Sequence, residues 1–131
     1  MFVDASAVVA LHVFENDWKE LALKVEAAKA IEVSAVVVYE STTALARISR
    51  ASIAEAQDAM QRFIETTKAT FIPIDATIAS SALDAFARYG KGRHRAALNM
   101  GDCFSYACAK VHRVPLLCKG SDFKLTDIKL A

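Results

Sequence analysis

Four acidic residues are spaced so that a parallel sheet would bring them to one edge. Asp4 follows the first predicted strand, and Asp122 follows the fourth. Glu40 and Asp102 lie in early turns of two predicted helices, and the residues around Asp102 are small and apolar, which indicates burial. Carboxylates brought close together repel one another and raise each other's pKa unless a cation neutralises them. Such a group is therefore expected to bind a metal ion.

The residue types in this group favour Mg²⁺ or Mn²⁺. Hard divalent cations prefer oxygen ligands and are usually held by one or two carboxylates, while other groups hold their waters. None of the three histidines, His12, His94 and His112, is placed beside the acids, which argues against Zn²⁺. A metal held by carboxylates activates water and stabilises the charge of a phosphoryl transition state, which is the chemistry of nucleases and phosphatases.

Single acids near strand and helix ends can also have purely structural roles. A first-turn aspartate such as Asp102 gains about 0.3–1 kcal/mol from the helix dipole alone. Asp75 is expected to be a helix cap and Asp127 a turn residue before a last strand, so both are left out of the site. Ser6 is expected to cap the first helix or to support Asp4, and the two roles are compatible.

The elements that position these acids alternate between strands and helices. Apolar runs predict strands at residues 1–3, 31–33, 70–74 and 114–118, with a short last strand at 128–130. Helices are predicted at residues 7–11, 18–30, 52–67 and 75–90, from residue 36, and around residues 99–110. One or two helices between successive strands, with no hairpin signal, require crossover connections. The prediction is a single α/β domain over residues 1–131, with three α/β/α layers around a mostly parallel sheet of four to five strands.

Helical spacing also predicts which side chains the helices bury. The helix that begins at Ser52 is expected to turn Ile53, Met60, Phe63 and Ile64 inward, and the helix that follows Asp75 to bury Ile78, Leu83 and Phe86. The helices at 18–30 and 52–67 carry more apolar residues than one small sheet can cover, which predicts a homodimer.

Composition excludes several classes of protein. A hydrophobic fraction of 54% and a charged fraction of 24% are typical of a globular chain, not a disordered one. The net charge of +1 supplies no general affinity for nucleic acid, so such affinity has to come from local clusters. Three cysteines without a CxxC spacing favour reduced thiols and a cytoplasmic location, and no apolar run approaches the roughly 20 residues of a membrane span.

Five stretches, in order, give the chain a resemblance to a known family. The matching stretches are Phe2-Val3-Asp4-Ala5-Ser6-Ala7, Val38-Tyr39-Glu40-Ser41, Lys91-Gly92-Arg93-His94, Leu98-Asn99-Met100-Gly101-Asp102-Cys103, and Leu116 to Phe123 followed by Thr126-Asp127-Ile128. They run from near the first residue almost to the last. On these residues the chain resembles PIN-domain ribonucleases, specifically the VapC toxins of bacterial VapBC toxin–antitoxin pairs.

The resemblance implies a Mg²⁺-dependent endoribonuclease, the toxin of a type II pair, which cleaves RNA when it is freed from its antitoxin. Asp4, Glu40 and Asp102 match the acidic residues of the family, and Asp122 matches a fourth acid that varies more. Ser6 matches a hydroxyl beside the first acid that can hold a water of the metal. The resemblance also points to a homodimer. The chain departs from the family at Arg95, where proline is frequent, and at Ser121, where an acid or asparagine is common.

The basic stretch from Lys91 to Arg95 would usually be a solvated loop. Beside carboxylates that handle phosphates, its residues Lys91, Arg93 and Arg95 are expected to bind the RNA backbone, or alternatively the antitoxin.

Two alternative functions remain at this point. One is a catalytically silent PIN-fold module that binds RNA or regulates, against which the four intact acids argue. The other is a receiver-type Mg²⁺-binding signalling domain, which requires an acid pair after the first strand, where this chain has only Asp4.

Overall fold

A computed structural model describes residues 1–131. Helices and strands alternate along the chain as β1 (Phe2–Val3), α1 (Ala5–His12), α2 (Trp18–Ala27), β2 (Glu32–Ser34), α3 (Ala35–Ser49), α4 (Ile53–Thr67), β3 (Thr70–Ile72), α5 (Ala76–Tyr89), α6 (Met100–His112) and β4 (Leu116–Leu117). A 3₁₀ turn follows at Asp122–Leu125. None of the helices combines the length and the apolarity needed to cross a membrane.

The four strands form one sheet in the order β3-β2-β1-β4, and every pairing is parallel. Phe2 of β1 lies opposite Glu32 on one side and Leu116 on the other. The first three strands therefore extend in one direction from β1, and β4 adds on its other side. In open parallel sheets, such a reversal of strand order leaves a crevice at the carboxyl ends of the strands. The predicted α/β class and parallel sheet are confirmed.

The predicted fifth strand is reduced to a single bridge. Leu130 pairs with Leu116 in parallel, and the N–H of Leu116 donates to the carbonyl of Lys129 at 2.9 Å. The segment extends the β4 edge by one residue pair, so the sheet has four strands.

Helix caps set where the helices begin after each strand or loop. Asp4 caps α1, and Ser34 caps α3 by accepting a hydrogen bond from the N–H of Val37. Asp75 accepts a hydrogen bond from the N–H of Ile78 at 2.9 Å, which confirms its predicted role as the cap of α5. The caps at Asp4 and Ser34 let α1 and α3 begin directly at the ends of β1 and β2.

The core is built on the strands, and part of the predicted helix burial is wrong. Ile78 is buried, but Leu83 is 70% exposed and Phe86 is 39% exposed. Ala82 and Ala85 are buried in their place, because α5 packs against α6 through small side chains. On α4, Met60 is buried whereas Ile53 is 54% exposed. Large apolar side chains are therefore left on the surfaces of α4 and α5.

Candidate active site

A cavity of about 780 Å³ lies where the residues after β1 and β4 meet the start of α6 and one face of α3. Three of the four predicted acids, Asp4, Glu40 and Asp102, line it. Asp4 lies at the end of β1, Glu40 on α3 and Asp102 on α6. The crossover topology thus brings together carboxylates that are far apart in the sequence.

Asp4 is fixed at the end of β1. Its N–H donates to the carbonyl of Leu117 on β4 at 2.9 Å, which ties it to the neighbouring strand. Its Oδ2 accepts hydrogen bonds from the N–H and the hydroxyl of Ser6 at 2.9 and 2.5 Å. Oδ1 accepts no hydrogen bond from the protein, and the residue is only 3% exposed. One oxygen of Asp4 is held in place, and the other is available to a ligand.

Ser6 orients Asp4 and does not cap α1. The expected capping role is wrong because Asp4 itself occupies the cap position and accepts the Ser6 N–H. The Ser6 hydroxyl donates to Asp4 and accepts a hydrogen bond from the N–H of Lys119 at 3.0 Å. Ser6 therefore connects the segment after β4 to the carboxylate after β1.

Asp102 belongs to the cap of α6 and also lines the cavity. In a capping box at the start of α6, its Oδ2 accepts the Asn99 N–H at 2.8 Å, and its own N–H donates to Asn99 Oδ1 at 3.0 Å. Oδ1 of Asp102 accepts no hydrogen bond from the protein, and the residue lines the cavity. A helix-terminal acid is thus also a cavity acid.

Glu40 reaches the cavity from the second turn of α3. Its carboxylate lies against the backbone of Gly101 on α6, where any Cβ would overlap the carboxylate oxygens. No protein group donates a hydrogen bond to this carboxylate. Glu40 is therefore positioned by packing against a glycine and not by hydrogen bonds.

The three carboxylates interact electrostatically. Burial raises the pKa of Glu40 to about 7, and repulsion from Asp4 and Asp102 contributes to the rise. Burial also raises the pKa of Asp102 to about 6; the hydrogen bond from Asn99 opposes this rise, and the negative charges of Asp4 and Asp122 add to it. Burial and mutual repulsion both favour the protonated carboxyls of Glu40 and Asp102, and a bound cation would relieve the repulsion.

The donor set fits a hard divalent cation. All three carboxylates offer oxygen, and both Asp4 and Asp102 keep one oxygen without a protein hydrogen bond. As they stand, however, the acidic residues do not form a group of three or more that could hold a metal ion. Mg²⁺ usually keeps several waters and binds one or two carboxylates directly, so two direct ligands are compatible with it. Asp4, Glu40 and Asp102 meet in one cavity, and the metal site of four carboxylates stays a prediction.

Asp122 lies apart from the other three acids. It is the first residue of the 3₁₀ turn, is exposed, and does not line the cavity. Its charge still contributes to the raised pKa of Asp102. Asp122 is thus the one predicted acid that does not line the cavity, and its part in the site stays a prediction.

The cations on the cavity wall are not those of the predicted basic stretch. Lys91, Arg93 and Arg95 are exposed in the connection from α5 to α6, and none of them lines the cavity. The Arg93 guanidinium lies 5.3 Å from the centre of the Phe86 ring. Arg47 and Lys119 line the cavity instead, and the sequence analysis missed both.

Sequence patterns that point to these two cations do exist. Arg47 follows Glu40 by seven residues on the same helix, a spacing that returns to the same face. Lys119 lies two residues after the end of β4, in the same connection as Asp122.

Asp127 lies outside the cavity, as expected, but it is more than a turn residue. It accepts hydrogen bonds from the Tyr106 hydroxyl at 2.5 Å, from Lys110 Nζ at 3.0 Å and from Arg88 at 3.3 Å. These contacts hold the pKa of Asp127 well below its usual range, with the Tyr106 hydrogen bond as the largest cause. The residue fastens the C-terminal segment to α5 and α6.

Comparison with known proteins identifies the family of this fold and site. Residues 1–129 match the family model of the PIN domain, so the chain belongs to the PIN-domain family. Among curated relatives, a VapC ribonuclease of Mycolicibacterium smegmatis is 40% identical over 98% of this chain and 97% of its own. The chain is thus a member of the VapC ribonucleases. The resemblance seen in the sequence is confirmed, and a receiver domain is excluded.

Solved structures show the same fold at low identity. VapC20 of Mycobacterium tuberculosis, described as a sarcin–ricin loop cleaving toxin, gives a TM-score of 0.78 at 17% identity, over 99% of this chain and 97% of that one. VapBC2 of Rickettsia felis, bound to a promoter DNA fragment, gives a TM-score of 0.73 at 14% identity, over 99% and 96% of the two chains.

Proposed function

We propose that this ribonuclease is the toxin of a type II toxin–antitoxin pair and hydrolyses internal phosphodiester bonds of RNA with Mg²⁺, for which Mn²⁺ can substitute. The observation that carries the proposal is the meeting of Asp4, Glu40 and Asp102 in one cavity with raised pKa values for Glu40 and Asp102. When bound, a divalent cation supplies charge neutralisation to the phosphodiester and lowers the pKa of water.

The residues of the chain supply ligands and orientation. Asp4 and Asp102 present their unoccupied oxygens, and Ser6 and Asn99 hold the opposite oxygens of those carboxylates in place. Glu40 adds a third carboxylate from α3. Asp122 contributes negative charge from the edge of the cavity, as the fourth acid.

The basic loop is proposed to help bind the RNA backbone. Lys91, Arg93 and Arg95 are exposed and lie shortly before Asn99, which lines the cavity. Cations placed beside but not inside a cleavage site contact flanking phosphates and add a salt-dependent contribution to affinity.

An antitoxin is the proposed protein partner. A groove of about 870 Å³ between α3, α4 and β3 is lined by exposed apolar side chains that include Tyr39, Ile53 and Phe71. Thr43 lines both this groove and the active-site cavity, so a helix in this groove would reach the edge of the active site. The similarity in fold to VapBC2 of Rickettsia felis supports a VapB-type partner.

A homodimer is proposed as well, through α5 and α6. Leu83, Phe86 and Met100 surround a wholly apolar hollow of about 430 Å³ on these helices. Exposed apolar surface of this kind marks an interface, and in a two-fold symmetric dimer the same surface of a second copy can cover it.

Three free thiols, Cys103, Cys108 and Cys118, suit the reducing cytoplasm in which we propose that the protein acts.

Metal dependence tests the proposed activity. Purified protein is stripped of metal with EDTA, incubated with end-labelled RNA, and then supplied with Mg²⁺, Mn²⁺ or Ca²⁺. Cleavage at internal positions with Mg²⁺ or Mn²⁺, and its loss in EDTA, is the expected result. Equal cleavage in EDTA would contradict a metal-dependent site, and no cleavage under any condition would favour the silent RNA-binding module.

A further inference from the structure

One cation on the cavity wall has no ion-pair partner. Arg47 lies on α3 and lines the same cavity as the three carboxylates. Its guanidinium takes part in none of the salt bridges of the protein, and the residue is exposed. Its charge and its five N–H donors are therefore available to an anion.

The other cation of the cavity is already neutralised. Lys119 Nζ pairs with Glu15 and lies 3.3 Å from a carboxylate oxygen of Asp17. Both acids belong to the connection between α1 and α2. Moving Lys119 onto a ligand would leave these two carboxylates unpaired, whereas Arg47 has no such contact to break.

The cavity continues along α3 from the carboxylates to Arg47. Its α3 lining consists of Glu40, Thr43, Ala44, Arg47 and Ile48, which share one helix face. At a rise of 1.5 Å per residue, Arg47 lies about 10 Å along the helix axis from Glu40. The Thr43 hydroxyl donates within the helix to the carbonyls of Tyr39 and Glu40. The cavity thus has carboxylates at one end and the unpaired guanidinium of Arg47 at the other.

We propose that Arg47 binds a backbone phosphate of the RNA that flanks the phosphodiester lying at the carboxylates. The inference rests on the proposed ribonuclease function and adds a phosphate subsite to it. Arginine matches phosphate oxygens with two parallel N–H bonds, so it fixes position and direction of a strand without reading its bases. RNA is favoured over an acidic peptide as the ligand of Arg47, because Arg47 lines the same cavity as the carboxylates that are proposed to cleave RNA.

Binding of RNA, measured without cleavage, tests the subsite. A fluorescent single-stranded RNA of mixed sequence is titrated in EDTA with the wild type and with Arg47→Ala, Arg47→Lys and Arg62→Ala. Arg62 is the matched control, because it is also an exposed helical arginine without an ion pair but lies on α4 outside this cavity. Alanine favours helix at both positions, so both variants are expected to fold.

Arg47→Ala is expected to raise the Kd about tenfold and to reduce the slope of log K against log salt by about 0.7. Arg47→Lys should keep the slope, because the charge remains, while losing part of the affinity. Arg62→Ala should change neither quantity.

Equal effects of Arg47→Ala and Arg62→Ala would overturn the subsite. Unchanged RNA binding by Arg47→Ala together with weakened binding of the antitoxin would overturn it in favour of a protein ligand. A wild type that binds RNA through Arg47 but does not cleave it with Mg²⁺ would contradict the proposed function and leave the subsite standing.

Discussion

The carboxylate of Glu40 rests on the backbone of Gly101, the residue immediately before Asp102. A side chain at position 101 would occupy the space that the Glu40 oxygens now fill. Gly101 therefore lets α3 and α6 approach closely enough for carboxylates from both helices to share one cavity. Its role is steric, since the residue lies inside a helix and does not require a positive φ.

Gly101→Ala is expected to displace the Glu40 carboxylate while leaving the fold intact. The group that must move is the end of a flexible side chain, and replacing glycine by alanine within a helix contributes up to about 1 kcal/mol of stability. Displacing a catalytic group by about 1 Å can cost on the order of a hundredfold in rate. Thermal melting and Mn²⁺ binding by calorimetry check both halves of the prediction.

The shorter side chain of aspartate provides the control for this steric effect. In Gly101→Ala/Glu40→Asp the carboxylate retreats from the new Cβ, so Mn²⁺ binding should recover relative to Gly101→Ala alone. Full Mn²⁺ affinity and full activity in the single variant Gly101→Ala would show that Glu40 does not depend on the space at Gly101.

Metal-free stability should depend on pH through Glu40. Burial, with repulsion from Asp4 and Asp102, raises the pKa of Glu40 from 4.5 to about 7. The folded protein thus binds this proton more tightly than the unfolded chain does, and stability falls as pH rises from about 4.5 to 7. In EDTA, Glu40→Gln should therefore be more stable than the wild type at pH 8, by about 1–2 kcal/mol after solvent screening.

Urea unfolding of both proteins between pH 4 and pH 8 provides the measurement. The difference between them should shrink towards the acid end, where Glu40 of the wild type is protonated. A constant difference across this range would mean that the Glu40 charge is already compensated in the metal-free protein.

Dimerisation through α5 and α6 can be separated from dimerisation through α2. Leu83 of α5 and Leu23 of α2 are both strongly exposed, at 70% and 66%. Leu83→Glu should yield monomers at micromolar concentration, because a charge would be buried in the apolar hollow. Leu23→Glu should stay dimeric. Light scattering distinguishes the two outcomes, and the reverse pattern would restore the α2 surface as the interface.

The parallel sheet and most of the site followed from the sequence, because strand ends of a crossover fold meet at one edge. That rule predicted Asp4 at the end of a strand. It predicted Glu40 and Asp102 from the early turns of helices that begin near the same edge. It also predicted Asp122, which lies in the turn that follows Gly120 and does not line the cavity.

Some features depend on contacts that local sequence does not encode. The helical spacing on α5 does not show that Ala82 and Ala85 are buried whereas Leu83 and Phe86 remain exposed. The pairing of Lys119 with Glu15 joins residues 104 positions apart, and it decides which cation of the cavity remains available.

Asp102→Asn, with Asp75→Asn as its matched control, tests whether the carboxylates of this cavity cleave RNA. Both substitutions remove one charge, and asparagine keeps the side-chain oxygen that accepts the helix-terminal hydrogen bond, so both proteins should fold. With Mg²⁺ and labelled RNA, Asp102→Asn should cleave at least about a hundredfold more slowly than the wild type, and Asp75→Asn should cleave at the wild-type rate. Wild-type cleavage by a folded Asp102→Asn protein would contradict the assignment of the active site to this cavity.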